Sequence, residues 1–392
     1  MSKKKSNLSN IIFGHFDEPP WPSFVKPLAG ELFTSWLLRL SRSHLVRYYT
    51  FCSSYFNGIE FWDRDLDKFL PNGIREIILK KCILKSEDID QMRLVSFQPN
   101  LFVTDIASRS PWFTPFSVYS LKHGAKHRTT LPVCPSCLKK DGTEPYFRKS
   151  WRLSIKTVCV ECGTELIDVC PECGMPINHL IAEKGRRSQT PIFPVTYCWK
   201  CLCDLSQVVP VPAEAKALEM QQFFATIIET GHDARHGLQY AHLYFLVLRK
   251  ILSLLNKHGN PQLDTLQREL SKAANVEFIV PKNSRANSFE TLSVANRANL
   301  LYKAYWLLEE WPGRFRELSA RAGLRSKIFV NDFPDIPYWF KTELDHNRIV
   351  YSKWRKDFSE TYSSFAELAK WRVSKISRRK ENGGNEQDQI TR

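Results

Sequence analysis

The sequence has 392 residues, of which 43% are hydrophobic, 25% charged and 12% aromatic. This composition is typical of a folded soluble protein with about two or three domains, and it excludes a disordered scaffold. No apolar run reaches the roughly 18 residues that span a bilayer. No apolar stretch follows the N-terminal lysines, as it would in a secretory signal, so we expect a cytoplasmic protein with no membrane partner.

The charge balance gives the first indication of a partner. Lysine and arginine number 56 against 41 acidic residues, which gives a formal net charge of +15. An excess of this size favours a polyanionic partner such as DNA, because each basic side chain that neutralises a phosphate releases a counterion. The alternative is a soluble protein whose basic charge serves no binding function.

The N-terminal third is predicted to be helical after a proline-rich start. Apolar Leu32, Trp36 and Leu40 recur every four residues, which predicts a helix over residues 32–40. A second helix is predicted over residues 74–82, and Ser86 is the expected cap of a third. The last two could form a helix-turn-helix or an ordinary helical corner. Acidic residues at the start of the third helix are unfavourable for a helix that faces DNA.

Residues 107–133 are predicted to be irregular and basic. Lys122, Lys126 and Arg128 lie there among serine, threonine and glycine, and we expect them to contact phosphate. His123 and His127 have the spacing of metal ligands on a helix. The glycine between them and the complete cysteine sets that follow favour phosphate contact or solvent exposure instead.

Cysteine is the most informative residue type. Eight of the eleven cysteines form four Cys-x-x-Cys pairs, which are Cys134/Cys137, Cys159/Cys162, Cys170/Cys173 and Cys198/Cys201. In a chain of this length without a secretory signal, such pairs indicate metal binding and not disulfides. We predict sequential pairing, the first pair with the second and the third with the fourth, with an interleaved arrangement as the alternative. Cys203 could replace Cys201 as a ligand or be an ordinary thiol, and Cys52 and Cys82 are predicted core residues.

The ligand chemistry predicts two structural zinc ions. Two Cys-x-x-Cys turns complete a tetrahedral site with Zn–S distances of about 2.3 Å, and four thiolates leave no open position for a substrate. Gly163 and Gly174 directly follow a second cysteine, where the turn often needs a positive φ. The metal would then stabilise a loop-rich tandem zinc-finger module over residues 131–208, which has little core of its own.

Basic and aromatic residues alternate between the first two cysteine pairs. Residues 146–156 read YFRKSWRLSIK, a pattern typical of a nucleic-acid surface, although the aromatic residues could also pack beneath the metal site. With two arginines further along, the predicted phosphate contacts in this part of the chain are Arg148, Lys149, Arg152, Lys156, Arg186 and Arg187.

The C-terminal half is predicted to be helical from about residue 213, with a second candidate helix-turn-helix beginning at residues 315–322. The fold class is therefore mainly α with a central zinc-finger module. We predict an N-terminal helical domain over 1–130, the zinc module over 131–208, a C-terminal helical domain over 213–370 and a basic, disordered tail over 371–392.

Three stretches resemble the TniQ family, which includes TnsD-type target selectors. The first is Pro27 followed by GELFTSWLLRL at residues 30–40, and the second is FW at 61–62 with DLD at 65–67. The third and most specific comprises VCPSCL at 133–138, PYFRKSWR at 145–152, VCVECGTEL at 158–166 and CPECG at 170–174. Cys162 stands where many relatives have histidine, and Ser41 where a small residue such as alanine is usual.

The resemblance implies a bacterial, nucleoid-associated target selector of Tn7-like transposition that does not cut or join DNA itself. Its implied partners are DNA, an AAA+ ATPase regulator that engages the transposase, and a second copy of the chain. The chain is short for the family, which fits selectors that dock on a CRISPR effector complex. The sequence has no phosphate-binding Gly-x-x-x-x-Gly-Lys loop and no His-Glu-x-x-His helix. The alternatives are a zinc-stabilised nuclease and a transcription regulator.

Overall fold

The structure, a computed structural model, describes residues 20–57, 59, 64–103, 112–115, 130–180, 193–257, 259–278 and 288–354. The chain divides into two compact units, Met1–Trp311 and Pro312–Arg392. The described residues are mainly α-helical around a central cysteine-rich module, which confirms the predicted fold class. Among them, no helix has the length and apolar character needed to cross a membrane.

Two N-terminal helices form the first layer of the larger unit. Helix α1 (Phe33–Ser43) is buried on almost every side, as expected for a helix at the centre of a core. Helix α2 (Tyr48–Tyr55) follows after a short turn, in which Leu45 has a positive φ of 59° and is 86% exposed. The ring of Phe51 on α2 packs edge-on against Trp21, with centroids 5.0 Å apart, so the segment before α1 is anchored to α2.

Helices α3 (Asn72–Lys81) and α4 (Ser86–Met92) make the first candidate helix-turn-helix. The Arg75 guanidinium on α3 pairs with Asp90 on α4 at 2.5 Å and also donates to the Ser86 hydroxyl at 2.6 Å. Asp88 accepts a hydrogen bond from the backbone N–H of Lys85 and thereby caps α4. The acidic residues of α4 therefore stabilise the corner, which favours the helical-corner interpretation over a DNA-reading helix.

The described part of the cysteine module, residues 130–180 and 193–212, contains only short elements. These are α5 (Pro135–Lys140), a 3₁₀ turn at Lys149–Arg152, strands β1 (Val158–Cys159) and β2 (Thr164–Glu165), and a 3₁₀ turn at Leu205–Gln207. The strands are antiparallel, with Val158 opposite Glu165. Two-residue strands and single-turn helices bury little apolar area, so the module depends on other interactions for its shape.

Four longer helices complete the larger unit: α6 (Ala215–Thr230), α7 (Ala241–Leu255), α8 (Pro261–Ala273) and α9 (Val294–Glu309). Helix α7 is the most deeply buried and packs against α8 and α9. Helix α6 ends at Gly231, whose φ is +78° and where a Cβ would lie 2.9 Å from the Asn100 side chain. Asn100 donates to the Ile228 carbonyl at 2.8 Å, so glycine at this position allows the N-terminal part of the unit to contact α6.

Hydrogen bonds join the cysteine module to these helices. Gln221 on α6 accepts from the Thr157 N–H at 3.0 Å and donates to the Ile155 carbonyl at 2.7 Å. Asp168 accepts from the Val294 N–H at the start of α9, at 3.1 Å. All of these side chains are buried, so each satisfies backbone groups that would otherwise be desolvated without a partner.

The smaller unit begins with two short helices, α10 (Gly313–Arg321) and α11 (Ser326–Val330), and continues with α12 (Tyr338–Trp354). The rings of Phe315, Phe329 and Phe340 form its core, with centroids 5.4 to 5.7 Å apart. Gly323, with a φ of 60°, lies in the turn between α10 and α11. The helices fall where the sequence predicts the second candidate helix-turn-helix.

Candidate metal centres and the buried polar network beside them

Four cysteines form the first candidate metal centre. Cys134 precedes α5, Cys137 lies in it, Cys159 ends β1 and Cys162 lies in the turn before β2. The Cys137 sulfur is 3.5 Å from the sulfurs of both Cys159 and Cys162. All four sulfurs lie within 4.8 Å of one another, and only Cys162 is not fully buried. The first pair thus meets the second, as predicted.

The third and fourth pairs form a second centre. The sulfurs of Cys170 and Cys201 are 3.5 Å apart, and those of Cys173 and Cys198 are 3.7 Å apart. These four sulfurs also lie within 4.8 Å of one another. This centre is closer to solvent than the first, because Cys201 is exposed and Cys173 half-buried. The pairing is sequential at both centres, and the interleaved arrangement is not formed.

Three of the four turns share one backbone geometry. In each, the residue after the second cysteine donates its N–H to the carbonyl of the first cysteine, at 2.9 Å for Gly163 and Gly174 and 3.0 Å for Leu202. Their φ angles are +64°, +67° and +65°. Glycine suits the first two positions, as predicted, while Leu202 adopts the same conformation against the usual preference of a side chain. In the other turn Cys134 caps α5, and its sulfur accepts from the Cys137 N–H.

The spacing of the sulfurs fits a tetrahedral metal ion. A zinc ion with Zn–S bonds of about 2.3 Å places its sulfurs about 3.8 Å apart. The observed contacts of 3.5 to 3.7 Å are within a few tenths of an ångström of that value. Each group contains four cysteines and no carboxylate or imidazole. Two such groups can hold two metal ions in closed sites with no position for a substrate.

Electrostatics in the first centre favour a cation. The hydrogen bond from Cys137 lowers the pKa of the Cys134 thiol, and the same interaction raises the pKa of Cys137 to about 12. Hydrogen bonding to Cys134 also raises the pKa of Cys159. The crowded thiols therefore do not all ionise by themselves, and a divalent cation bound by the four sulfurs would supply the charge that keeps them deprotonated. Lys140, 3.5 Å from the Cys162 sulfur, offsets part of the remaining negative charge.

A buried ion-pair network lies beside the first centre. Arg152 is fully buried and donates to Asp65 at 3.1 Å and to Asp67 at 2.9 Å. Asp67 is also fully buried, and it accepts from the backbone N–H and the hydroxyl of Thr34 at 2.8 and 3.0 Å. Because Thr34 lies in α1 and Arg152 in the cysteine module, the network connects the two. Burial raises the pKa of Asp67 to about 7 against the opposing effect of Arg152.

His179 completes this network from the second half of the module. Its Nε2 lies 3.1 Å from the Thr34 hydroxyl oxygen, and its ring stacks on Phe147 with centroids 4.5 Å apart. Burial, with the charges of Arg152 and Arg42, lowers the pKa of His179 to about 3, so the ring is neutral at pH 7. Since the Thr34 hydroxyl donates its proton to Asp67, Nε2 of His179 must be the nitrogen that carries a hydrogen and donates.

Glu31 organises a second set of buried contacts. Its carboxylate is 1% exposed and accepts hydrogen bonds from the Leu28 N–H at 3.0 Å, the Ser35 hydroxyl at 3.2 Å and the Arg39 guanidinium at 2.8 Å. Ser35 in turn accepts from the Phe147 N–H at 2.9 Å. The spacing of Glu31, Ser35 and Arg39 along the helix is thus explained, because the three side chains bond to one another and to the cysteine module.

The basic residues predicted to contact phosphate have other partners in the described structure. Arg148 makes two hydrogen bonds of 2.7 Å to Asp141, and Lys149 donates to the Gln91 carbonyl and the Ser96 hydroxyl. Arg152 is fully buried, so its role differs from the predicted one: it neutralises two carboxylates and does not face solvent. Lys156 is half-buried, and its charge adds to the larger effect of the Cys159 hydrogen bond in lowering the pKa of the Glu161 carboxyl against the effect of burial.

The remaining predicted contacts lie outside the described residues. These are Lys122, Lys126, Arg128, Arg186 and Arg187, together with His123 and His127 and the Phe61-Trp62 pair. Sequence reasoning did not assign roles to Thr34, Asp67, Asp141 or His179. No local pattern could have done so, because Asp67 and Arg152 are 85 residues apart in sequence and Thr34 and His179 are 145 apart.

The described residues define a mainly helical protein with a module of two four-cysteine groups that can each hold a metal ion. Residues 22–166 match the TniQ family model, and no curated protein matches the chain. The chain therefore contains a region similar to the TniQ domain over these residues, and TniQ domains are associated with target selection in Tn7-like transposition. The matched residues include α1–α4, the Glu31 contacts and all four cysteines of the first centre. The second centre lies outside them.

Proposed function

We propose that this chain is a non-catalytic target-selection adaptor of Tn7-like transposition. In this role it connects target DNA to an AAA+ ATPase regulator and, through that regulator, to the transposase. The observation that carries the proposal is the TniQ domain, whose motif residues are held by buried contacts. Ser35 and Arg39 both bond to Glu31. Ser35 also attaches the cysteine module to α1, and Arg152 attaches the module to the segment between α2 and α3. Such contacts give a rigid body on which partners can dock.

We assign zinc to both centres as the metal that four thiolates at these distances favour. In the proposed adaptor the zinc ions have a structural role, because each closed set of four sulfurs leaves no ligand position for a reacting group. The short strands and turns of the module then gain from the metal the stability that their small apolar area does not supply. We keep the predicted division into domains over 1–130, 131–208 and 213–370 as part of this proposal.

The DNA contact in this proposal depends on basic residues that are accessible to a phosphate. Helices α10 and α11 lie where the sequence predicts the second candidate helix-turn-helix, and Arg325 and Lys327 are exposed at the start of the second helix. The first residues of a recognition helix are those that reach DNA. We therefore add these two side chains to the predicted contacts outside the described residues, which are Lys122, Lys126, Arg128, Arg186 and Arg187.

A salt series tests direct DNA binding. Affinity for a duplex should fall steeply between 50 and 200 mM salt, as it does for proteins that contact several phosphates. The double variant Arg325→Ala/Lys327→Ala should bind more weakly and lower the salt slope by about 2, one for each lost contact. The matched control is Lys272→Ala, which removes an exposed lysine from α8 in the other unit. An affinity that does not change with salt would contradict direct DNA binding and favour docking on a CRISPR effector complex.

A pull-down tests the adaptor function itself. The tagged chain should retain the AAA+ ATPase encoded beside it, and adding target DNA or the CRISPR effector complex should give a ternary complex. Light scattering on the same sample would measure whether two copies of the chain are present. Failure to retain the ATPase under any of these conditions would contradict the adaptor proposal and favour a transcription regulator. Plasmid nicking with Mg²⁺ that follows the protein peak would instead favour the nuclease alternative.

A further inference from the structure

A fifth cysteine lies beside the second centre. Cys203 follows Cys201 by two residues, on the returning segment of a hairpin in which the Cys198 N–H donates to the Cys203 carbonyl at 2.8 Å. The bridge between Tyr197 and Asp204 closes the same hairpin. The Cys170 thiol lies near enough to Cys203 to oppose the effect of burial, which raises the pKa of the Cys203 thiol. The Cys203 sulfur is not among the four sulfurs that all lie within 4.8 Å of one another, so it lies outside the set.

The ligand nearest to Cys203 is the least enclosed of the eight. Cys201 is exposed, whereas the other seven cysteines of the two centres are buried or half-buried. The residue between Cys201 and Cys203 is Leu202, which adopts a φ of +65° where the two other turns of this geometry have glycine. A side chain disfavours that backbone conformation, so rotation of the turn out of it relieves strain.

The first centre has no comparable neighbour. All eleven cysteines are described, and the two that belong to neither centre besides Cys203 are Cys52 and Cys82. Both are buried, Cys52 in α2 and Cys82 directly after α3, and neither belongs to the group of four sulfurs that forms the first centre. The two centres therefore differ in the number of thiols available to the metal.

We propose that Cys203 is an alternate ligand of the second zinc centre, which replaces Cys201 when that thiolate is lost or blocked. In the exchange the Zn–S bond to Cys201 breaks and one to Cys203 forms. The Cys203 thiol releases its proton, which the freed Cys201 thiolate takes up, or which passes to solvent where Cys201 is alkylated or replaced. The turn through Leu202 rotates to bring the second sulfur to the metal. This inference rests on the assignment of zinc in the proposed function. With an alternate ligand, the second centre would keep its zinc after loss of Cys201, whereas loss of Cys162 would release zinc from the first centre.

Alanine variants test the exchange, because alanine offers no donor atom. The set comprises Cys201→Ala, Cys203→Ala, Cys201→Ala/Cys203→Ala and the matched control Cys162→Ala in the first centre. Zinc per chain is measured by mass spectrometry of metals after gel filtration. We expect two zinc ions in wild type and in each single variant of the second centre, and about one in the double variant and the control. Cobalt-loaded Cys201→Ala should keep the thiolate charge-transfer intensity of wild type.

Two results would overturn the proposal. Cys201→Ala could lose one zinc just as Cys162→Ala does, or the double variant could keep both. A wild-type chain without zinc would instead refute the metal assignment, so the two failures are distinguishable. If an alanine variant does not fold, limited N-ethylmaleimide labelling of the wild-type chain decides the point by native mass spectrometry. Peptide mapping identifies the labelled residue. The species labelled only at Cys201 should retain two zinc ions, and loss of one zinc from that species would contradict the exchange.

Discussion

Replacing Arg152 with methionine distinguishes a structural role of this side chain from a DNA-binding role. The Arg152 side chain is 1% exposed, and its two partners Asp65 and Asp67 are 20% and 0% exposed. Methionine keeps much of the volume but leaves both carboxylates without their cation. Removing one partner of a buried ion pair costs about 3–5 kcal/mol, and the two hydrogen bonds from Thr34 to Asp67 bring the expected loss toward the lower end.

Urea unfolding of the zinc-loaded chain, followed by tryptophan fluorescence, measures this loss. Lys272→Met is the matched control, since Lys272 is 76% exposed in its pair with Glu269 and should change the free energy of unfolding by less than about 1 kcal/mol. If Arg152 instead contacts a DNA phosphate, Arg152→Met should leave the free energy of unfolding unchanged and lower the salt slope of DNA binding by about 1. Equal stability of Arg152→Met and the control would refute the structural role.

The same variant has a pH dependence whose sign follows from Asp67. Burial raises the pKa of this carboxyl to about 7, so its contribution to stability is present at low pH and is lost as pH rises through that value. Without Arg152 the pKa rises further, and the variant continues to lose stability above pH 7, where the wild type does not. The stability difference should therefore widen from pH 7 to pH 9, by at most about 1.4 kcal/mol per pH unit. A constant difference would show that Asp67 does not titrate in this range.

Three further predictions concern the metal, the buried carboxylate of the family motif and the turn after α1. Metal analysis should find about two zinc ions per chain. Cys170→Ser should lower the zinc content to about one ion per chain and reduce the midpoint of unfolding. A metal-free chain that is fully folded would contradict the assignment of zinc. Glu31→Ala leaves the donors of Leu28, Ser35 and Arg39 without their acceptor. The free energy of unfolding should therefore fall by about 2–4 kcal/mol. A decrease below about 0.5 kcal/mol would show that these hydrogen bonds are not formed. Leu45→Asn should raise the free energy of unfolding by about 0.5–1 kcal/mol, because asparagine tolerates the positive φ of this exposed position, and a decrease would indicate that the leucine makes a stabilising contact.

At the family motif in α1, the sequence predicted which apolar positions are buried but not which contacts the polar positions make. The fourfold spacing of Leu32, Trp36 and Leu40 predicts a buried helix, and the structure has all three at 0% exposure. Helical periodicity is a local property, so it can be read from neighbouring residues. The polar residues Glu31 and Ser35 of the same motif gave no such signal of burial. Glu31 and Ser35 are buried because Leu28 and Phe147 supply hydrogen bonds, and Phe147 is far away in sequence.

At the predicted nucleic-acid surface, the local sequence pattern did not determine the environment of the basic side chains. A run of basic and aromatic residues has the same pattern whether its arginines face solvent or acidic partners. Arg148 and Arg152 have the second environment, with Asp141 and with Asp65 and Asp67. The aromatic residues of that run are partly accounted for by packing, since Trp151 and Phe147 are each 1% exposed. Of the two interpretations left open for this run, the burial of these rings and their contacts with each other and with His179 favour packing in the interior.

The sequence alone determined the eight cysteines of the metal centres, because a Cys-x-x-Cys turn is complete within four residues and its geometry depends little on the rest of the chain. It also determined the mainly helical class, through periodicities that are equally local. Only the tertiary structure decided which turns bring their sulfurs together, that Cys201 and not Cys203 belongs to the second group of four, and that Arg152 is buried. Each of these depends on which distant segments the fold brings together. The electrostatic role of a charged side chain is then set by the partners and the solvent access that this assembly gives it.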